Sequence, residues 1–205
     1  MMKRFLQNCR KPEGFMGRFV ARNMNKNHKR VSSWGLSHLN LNKNSHILDV
    51  GCGGGANIET MLKLCPGGKV YGIDYSIESV NVSKKRNAAY KASRCEIKQG
   101  SVSCLTYKEE TFDVVTAFET VYFWPDLEVD FKEVYRVLKP GGLFFVCNED
   151  SDPNTKWQEI IDGMRVYSKN ELILFMKSAG FTVESADEKN NKWVCVTGRK
   201  TSADL

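Results

Sequence analysis

No apolar run in this 205-residue sequence approaches the roughly 20 residues that a membrane-crossing helix needs, so no membrane span is expected. Met1-Met2-Lys3-Arg4 is followed neither by an apolar segment nor by a small-residue cleavage site, so no secretory signal is expected either. No CxxC pair occurs among the seven cysteines (9, 52, 65, 95, 104, 147, 195), which are odd in number and scattered. Several fall inside apolar strand patterns, where a free cysteine behaves as a small hydrophobe. That points to a reducing, cytoplasmic compartment, and no metal is expected. There is no internal repeat and no low-complexity tract.

What is present fits one globular domain, with 41% hydrophobic and 26% charged residues over a length that can bury a sizeable core. The charge is unevenly placed. Residues 1–45 hold ten Lys and Arg against Glu13 alone, a net of +9, which leaves −3 for the remainder of a chain at +6. A basic arm of this kind serves nucleic acid, an anionic substrate, or only a solvated helical face.

The arrangement centres on His46–Asn57. Ile47, Leu48 and Val50 read as a short buried strand that runs into a glycine turn, and residues 58–64 read as the helix that follows. Strand, glycine turn and helix open a nucleotide-binding βαβ unit. Ahead of it, residues 14–42 carry apolar positions at helical spacing in two pieces, broken near Asn23–His28. They form an N-terminal helical lid or a cover for the sheet edge, so the chain divides into 1–44 and 45–205. Further strands are expected at Lys69–Asp74, Cys95–Gln99, Phe112–Phe118 and Leu143–Cys147, with a terminal hairpin of 181–186 and 192–197. Ser76 and Asp126 are candidate caps for helices over 77–91 and 127–138, the latter ended by Lys139-Pro140-Gly141-Gly142. A short helix from Trp157 and a longer one over 168–178 complete the list. The expectation is one doubly wound, Rossmann-like α/β domain, with seven strands, mostly parallel, and a C-terminal antiparallel hairpin.

In such sheets the ligand crosses the carboxyl ends of the strands, so the residues just after each strand carry the chemistry. Asp49 stands two before Gly51, and Asp74 ends the second strand 23 residues after Gly51. That is close to the spacing of a carboxylate that accepts both ribose hydroxyls. Gly51, Gly53 and Ala56 satisfy the dinucleotide pattern GxGxx(G/A), which keeps a nicotinamide oxidoreductase open. Against it, a carboxylate at Asp49 repels a pyrophosphate and suits a ligand amine. There is also no second full domain for a substrate.

Four ordered motifs then carry a resemblance: Ile47–Gly55 (ILDVGCGGG), Tyr71–Ser76 (YGIDYS), Phe112–Thr116 (FDVVT) and Glu133–Gly142 (EVYRVLKPGG). Together they resemble the class I S-adenosylmethionine-dependent methyltransferases, of the small-molecule type, over roughly residues 45–150. The resemblance implies S-adenosyl-L-methionine as cofactor. Asp49, Gly51, Cys52, Gly53 and Gly55 would hold its methionine part and Asp74 its ribose. Tyr75, Ser101, Val102 and Phe118 would lie about the adenine and the methyl-bearing end. The chain departs from the family at Gly100-Ser101-Val102, where Gly-Asp-Ala is frequent, and a hydroxyl binds an amine less strongly than a carboxylate.

After the fourth strand the chain reads Glu119-Thr120-Val121-Tyr122-Phe123-Trp124-Pro125-Asp126. It lacks the Asn/Asp-Pro-Pro-aromatic motif of enzymes that methylate exocyclic base amines. It also lacks a Pro-Cys dipeptide for cytosine C5. A small-molecule acceptor is therefore expected, and nucleic acid is not. Glu119, Tyr122 and His28 are the catalytic candidates, and Tyr122, Phe123, Trp124 and Asn148 the acceptor-binding ones. His28 qualifies as the side chain that titrates near neutral pH. A monomer or homodimer is expected.

Overall fold

The computed structural model describes residues 28–90, 93–190 and 192–201. Seven strands form one sheet: β1 His46–Val50, β2 Lys69–Asp74, β3 Cys95–Gln99, β4 Phe112–Phe118, β5 Leu138–Asn148, β6 Phe181–Lys189 and β7 Trp193–Lys200. The helices are α1 Lys29–Leu36, α2 Ala56–Leu64, α3 Ile77–Arg86, α4 Leu127–Val137, α5 Trp157–Ile160 and α6 Lys169–Ser178. The strand order is β3-β2-β1-β4-β5-β7-β6. β1 to β5 are parallel, β7 runs antiparallel to β5, and β6 runs antiparallel to β7. The doubly wound sheet with a terminal hairpin is thus as the sequence pattern implies.

Both faces of the sheet are covered, because its strands alternate between two apolar sets. Leu48, Val115, Phe144 and Val146 face one cluster with Phe131 and Val134 of α4 and Leu172 and Met176 of α6. Ile47, Val70 and Val114 face the other, with Ile58, Met61 and Leu62 of α2 and Val80 of α3. A third, smaller cluster seats α1: Val31 meets Phe118, Phe145, Cys147 and Cys195. Gly35 permits that seat, since a Cβ there would stand 2.6 Å from Cys147 Sγ.

Local chemistry sets most boundaries. The Ser76 hydroxyl accepts from Ser79 N, and Asp126 accepts from Glu128 and Val129 N, so both expected caps are in place. Ser168 and Glu171 form a capping box at the start of α6. Several boundaries differ from the sequence expectation. α3 ends at Arg86 rather than 91, because the Asn87 amide turns back to donate to Ser83 O and Gly55 O. A short 3₁₀ turn, Ala88–Tyr90, follows. The helix over 127–138 ends at Val137, and Lys139–Gly142 joins β5 instead of a loop. The register against β4 shifts there, Phe112 pairing with Leu138 and Val114 with Leu143. Four residues are accommodated as a bulge, with Gly141 at φ +76°. The terminal strands are also longer than expected, and the hairpin turns at Lys189–Lys192.

Of the expected N-terminal helical segment, residues 14–27 lie outside the described residues, as does most of the basic arm. Its second piece is α1. No helix among the described residues is long and apolar enough to cross a membrane.

Candidate active site at the switch point of the sheet

Strand order reverses between β1 and β4, and in open α/β sheets that is where a crevice opens at the carboxyl ends. The turn after β1 lies on one side of it and the segment after β4 on the other. They touch closely: a Cβ on Gly51 would stand 2.0 Å from Thr120 Oγ1. Gly51, Gly53 and Gly55 all hold left-handed backbone, φ +72°, +51° and +74°, which only glycine adopts without strain.

On the donor side, Asp49 is 2% exposed and paired in register with Thr116, whose hydroxyl donates to Asp49 Oδ1 at 2.7 Å. Burial pushes the Asp49 carboxyl up to about 7; the Thr116 bond opposes this and the charge of Asp74 adds to it. A carboxylate kept so far from water at the head of a glycine turn calls for a cation. Asp74 accepts from Gly53 N on one oxygen and Ser76 N on the other, each at 2.8 Å. Burial raises its pKa, and those backbone bonds work against the rise. Asp74 is therefore both a candidate ribose ligand and a strut of the turn. Gly53, whose absent Cβ would meet nothing within 4 Å, faces open space. A buried carboxylate at Asp49, backbone that can be approached at Gly53 and a second carboxylate at Asp74 are features that suit the amine, chain and ribose of an S-adenosylmethionine molecule.

Cys52 takes part through its backbone: its N–H, like that of Gly51, donates to Ile73 O. Its side chain is buried against Gly72. Tyr75 is 60% exposed, and Gln99 Nε2 donates to its carbonyl, fixing the chain where an adenine would lie. Ser101 caps the turn Val102–Cys104 by accepting from Ser103 N, while Val102 is in the core. Phe118 packs on Phe145 beneath α1.

On the acceptor side, Glu119 follows β4 with φ +59°, a strained conformation for a residue with a side chain. Its N–H donates to Cys147 O at 2.9 Å, which ties it to the end of β5. The side chain is 10% exposed, and Oε1 is buried without a hydrogen-bond partner. Burial raises the Glu119 pKa, with His28 opposing. His28 Nδ1 stands 3.0 Å from Glu119 Oε2 and 3.5 Å from Glu149 Oε2. Burial pulls the His28 pKa down, but the two carboxylates outweigh it and the net shift is upward. Asn148 ends β5 fully buried, with neither amide atom partnered.

The three aromatics after Glu119 diverge. Trp124 turns into the core, stacked at 12° on Phe144, with Nε1 donating to Thr120 Oγ1; it does not line an acceptor wall. The Tyr122 hydroxyl accepts from Asp150 N at 2.9 Å and donates to Asp150 O at 3.1 Å. A hydroxyl engaged twice by backbone is a strut between the segments after β4 and β5 rather than a group free to meet a substrate. Phe123 remains partly exposed. Tyr122→Phe is expected to destabilise the fold by about 1–3 kcal/mol, since it removes two hydrogen bonds to the half-buried Asp150 backbone. Urea unfolding of the two proteins measures it.

Sequence pattern did not single out Thr116, Thr120, Arg86 or Asn87. Arg86 Nε donates to Gly54 O and Asn87 Nδ2 to Gly55 O, so α3 holds the glycine turn from behind. The available signal was a threonine within the apolar stretch Val114–Phe118 of β4 and polar residues at the end of α3.

This fold, with its glycine turn between Asp49 and Asp74, is similar to that of the class I S-adenosylmethionine-dependent methyltransferase domains. More particularly, residues 48–146 match the family described as "Methyltransferase domain". A sterol 24-C-methyltransferase of Candida albicans is 34% identical over 165 residues, 73% of this chain and 43% of the relative. A demethylmenaquinone methyltransferase of Symbiobacterium thermophilum is 34% identical over 151 residues, 71% of this chain and 59% of the relative. The chain spans about half the length of the curated relatives it matches. Among solved structures, a SAM-dependent methyltransferase from Aquifex aeolicus superposes with a TM-score of 0.76 at 20% identity, covering 90% of this chain and 98% of that one. A geranyl diphosphate methyltransferase bound to GPP and sinefungin gives 0.73 at 15% identity, covering 84% and 78%. These two likenesses concern the fold.

The cofactor site makes a pH prediction. Because the folded pKa of Asp49 lies above its ordinary value of 3.8, its contribution to stability is complete below about 3.8 and lost as pH rises through about 7. Binding of a cationic amine wants the ionised form and reverses the preference. Affinity for S-adenosylhomocysteine is thus expected to fall about tenfold from pH 8 to pH 6, and Asp49→Asn to flatten the profile. Calorimetry across that range checks both.

Proposed function

We propose that this protein transfers the methyl group of S-adenosylmethionine to a small-molecule acceptor held at the Glu119 end of the cleft. The observation that carries the proposal is the placement of two buried carboxylates, Asp49 and Glu119, on opposite sides of one switch point. Asp49 suits the amine of the donor, and Glu119 suits the reacting end of the acceptor. The sulfonium supplies a methyl group that is already activated. What remains for the chain is to align the acceptor, exclude water and receive or hold a proton. Glu119 is the proposed residue for the last task, with His28 beside it, Asn148 as a further acceptor contact and Tyr122 as positioning residue.

A small organic acceptor is supported by the relatives, whose names specify sterols and demethylmenaquinone. An RNA acceptor would rest on the basic arm, most of which lies outside the described residues, and the names of those relatives do not support it. The family match likewise leaves the nicotinamide reading without support. Incubating the protein with methyl-labelled S-adenosylmethionine, a metabolite extract and total RNA separates these readings. Label in the small-molecule fraction is expected; label in RNA alone would contradict the proposal.

We also propose a cytoplasmic location, a monomer or homodimer, and a division into a 1–44 extension and a 45–205 domain. The six described cysteines are all free, which suits a reducing compartment. α1 docks on β5, as an extension that covers the sheet would.

A further inference from the structure

Three side chains from three separate segments meet at the acceptor end: His28 ahead of α1, Glu119 after β4 and Glu149 after β5. Their nearest donor atoms all lie within 4.8 Å of one another. No spacing signature in the sequence marks this group, because the contacts arise only when α1 seats on the sheet.

We propose that His28, Glu119 and Glu149 form a divalent-cation site. The separations of Nδ1 from the two carboxylate oxygens are 3.0 and 3.5 Å. Ligands about 2.1 Å from one ion stand about 3.0 Å apart in an octahedron and about 3.4 Å apart in a tetrahedron. Both His28 separations match those spacings, and the two carboxylates, whose donor atoms lie within 4.8 Å of one another, would close on an ion placed among the three. Glu119 supplies the independent observation. Its side chain is nine-tenths buried and reaches the cluster through Oε2, while Oε1 has no hydrogen-bond partner and is available as a second donor to the same ion. Its left-handed backbone is a strain that placing this carboxylate would explain.

One imidazole and two carboxylates suit a hard or borderline first-row ion such as Mn²⁺ or Zn²⁺ better than a thiol-seeking one. Three protein donors leave coordination positions open, and an oxygen of the acceptor is the group they would take. The other candidate group among the described residues, His38, Asp187 and Cys195, is a poorer one. His38 Nδ1 is already bonded to Trp34 O at 2.8 Å, and Cys195 is fully buried.

The test is a titration of the purified full chain with Mn²⁺, without S-adenosylmethionine, following loss of the free-ion EPR signal. One saturable site is expected. Glu149→Gln and Glu119→Gln should each weaken it at least tenfold, and Asp187→Asn should leave it unchanged. Glu149 is exposed, so its variant folds even if the Glu119 variant does not. Absence of saturable binding, or binding that Glu149→Gln leaves intact, overturns the site. Because no methyl donor is present, either result leaves the methyl-transfer proposal to be judged separately.

Discussion

Glu119→Gln is expected to lower the turnover of methyl transfer by about 10²–10⁴, the span attributed to a positioned acid–base group. The substitution keeps the shape and the backbone conformation at φ +59°, but it removes the charge that faces His28. Cofactor binding should be almost untouched, because Glu119 follows β4 whereas the donor carboxylates stand on β1 and β2. Single-turnover kinetics with saturating cofactor isolates the effect. Unaltered turnover would show that acceptor chemistry does not involve this carboxylate. The loss should also exceed that of Tyr122→Phe, whose hydroxyl works only through the Asp150 backbone.

Asp74→Ala is the second large effect. A lost charge-assisted hydrogen bond to ribose costs about 1–3 kcal/mol, which is about 5- to 150-fold in affinity. The structure places the result toward the upper end. Asp74 also anchors Gly53 N and Ser76 N, so its loss loosens the turn as well as removing a ligand contact. Asp74→Asn retains an acceptor for one of those backbone bonds and should fall between wild type and alanine. Equal affinities in all three proteins would remove Asp74 from the cofactor site.

The two halves of the site were unequally legible in sequence. Asp49, the glycines and Asp74 could be read because each sits at a strand end, and strand ends follow from local apolar pattern and turn chemistry. The same pattern gave the sheet and its hairpin. What failed was whatever depends on register or on rotation about the chain. Thr116 meets Asp49 because β1 and β4 pair in a particular register, although 67 residues separate them. Tyr122, Phe123 and Trp124 are adjacent in sequence, yet a single 3₁₀ turn sends the tyrosine to Asp150 and the tryptophan into the core. The bulge at Lys139–Gly142 was concealed for a similar reason: proline and paired glycines signal a helix stop, but only pairing with β4 shows that a strand has already begun. Glu149 illustrates the limit most clearly: His28 was a candidate because it titrates near neutral pH, but Glu149 comes beside it only when α1 is seated by Gly35 on Cys147.

The account stands on Asp49, the glycine turn and Asp74 holding an amino-acid sulfonium nucleotide rather than a dinucleotide. Calorimetric titration of the chain at pH 8 with S-adenosylhomocysteine, and in parallel with NAD, tests that directly. One-to-one binding of S-adenosylhomocysteine, accompanied by release of a proton as the pH is lowered toward 7, and no heat with NAD is the predicted result. Saturable binding of NAD with none of S-adenosylhomocysteine would contradict it.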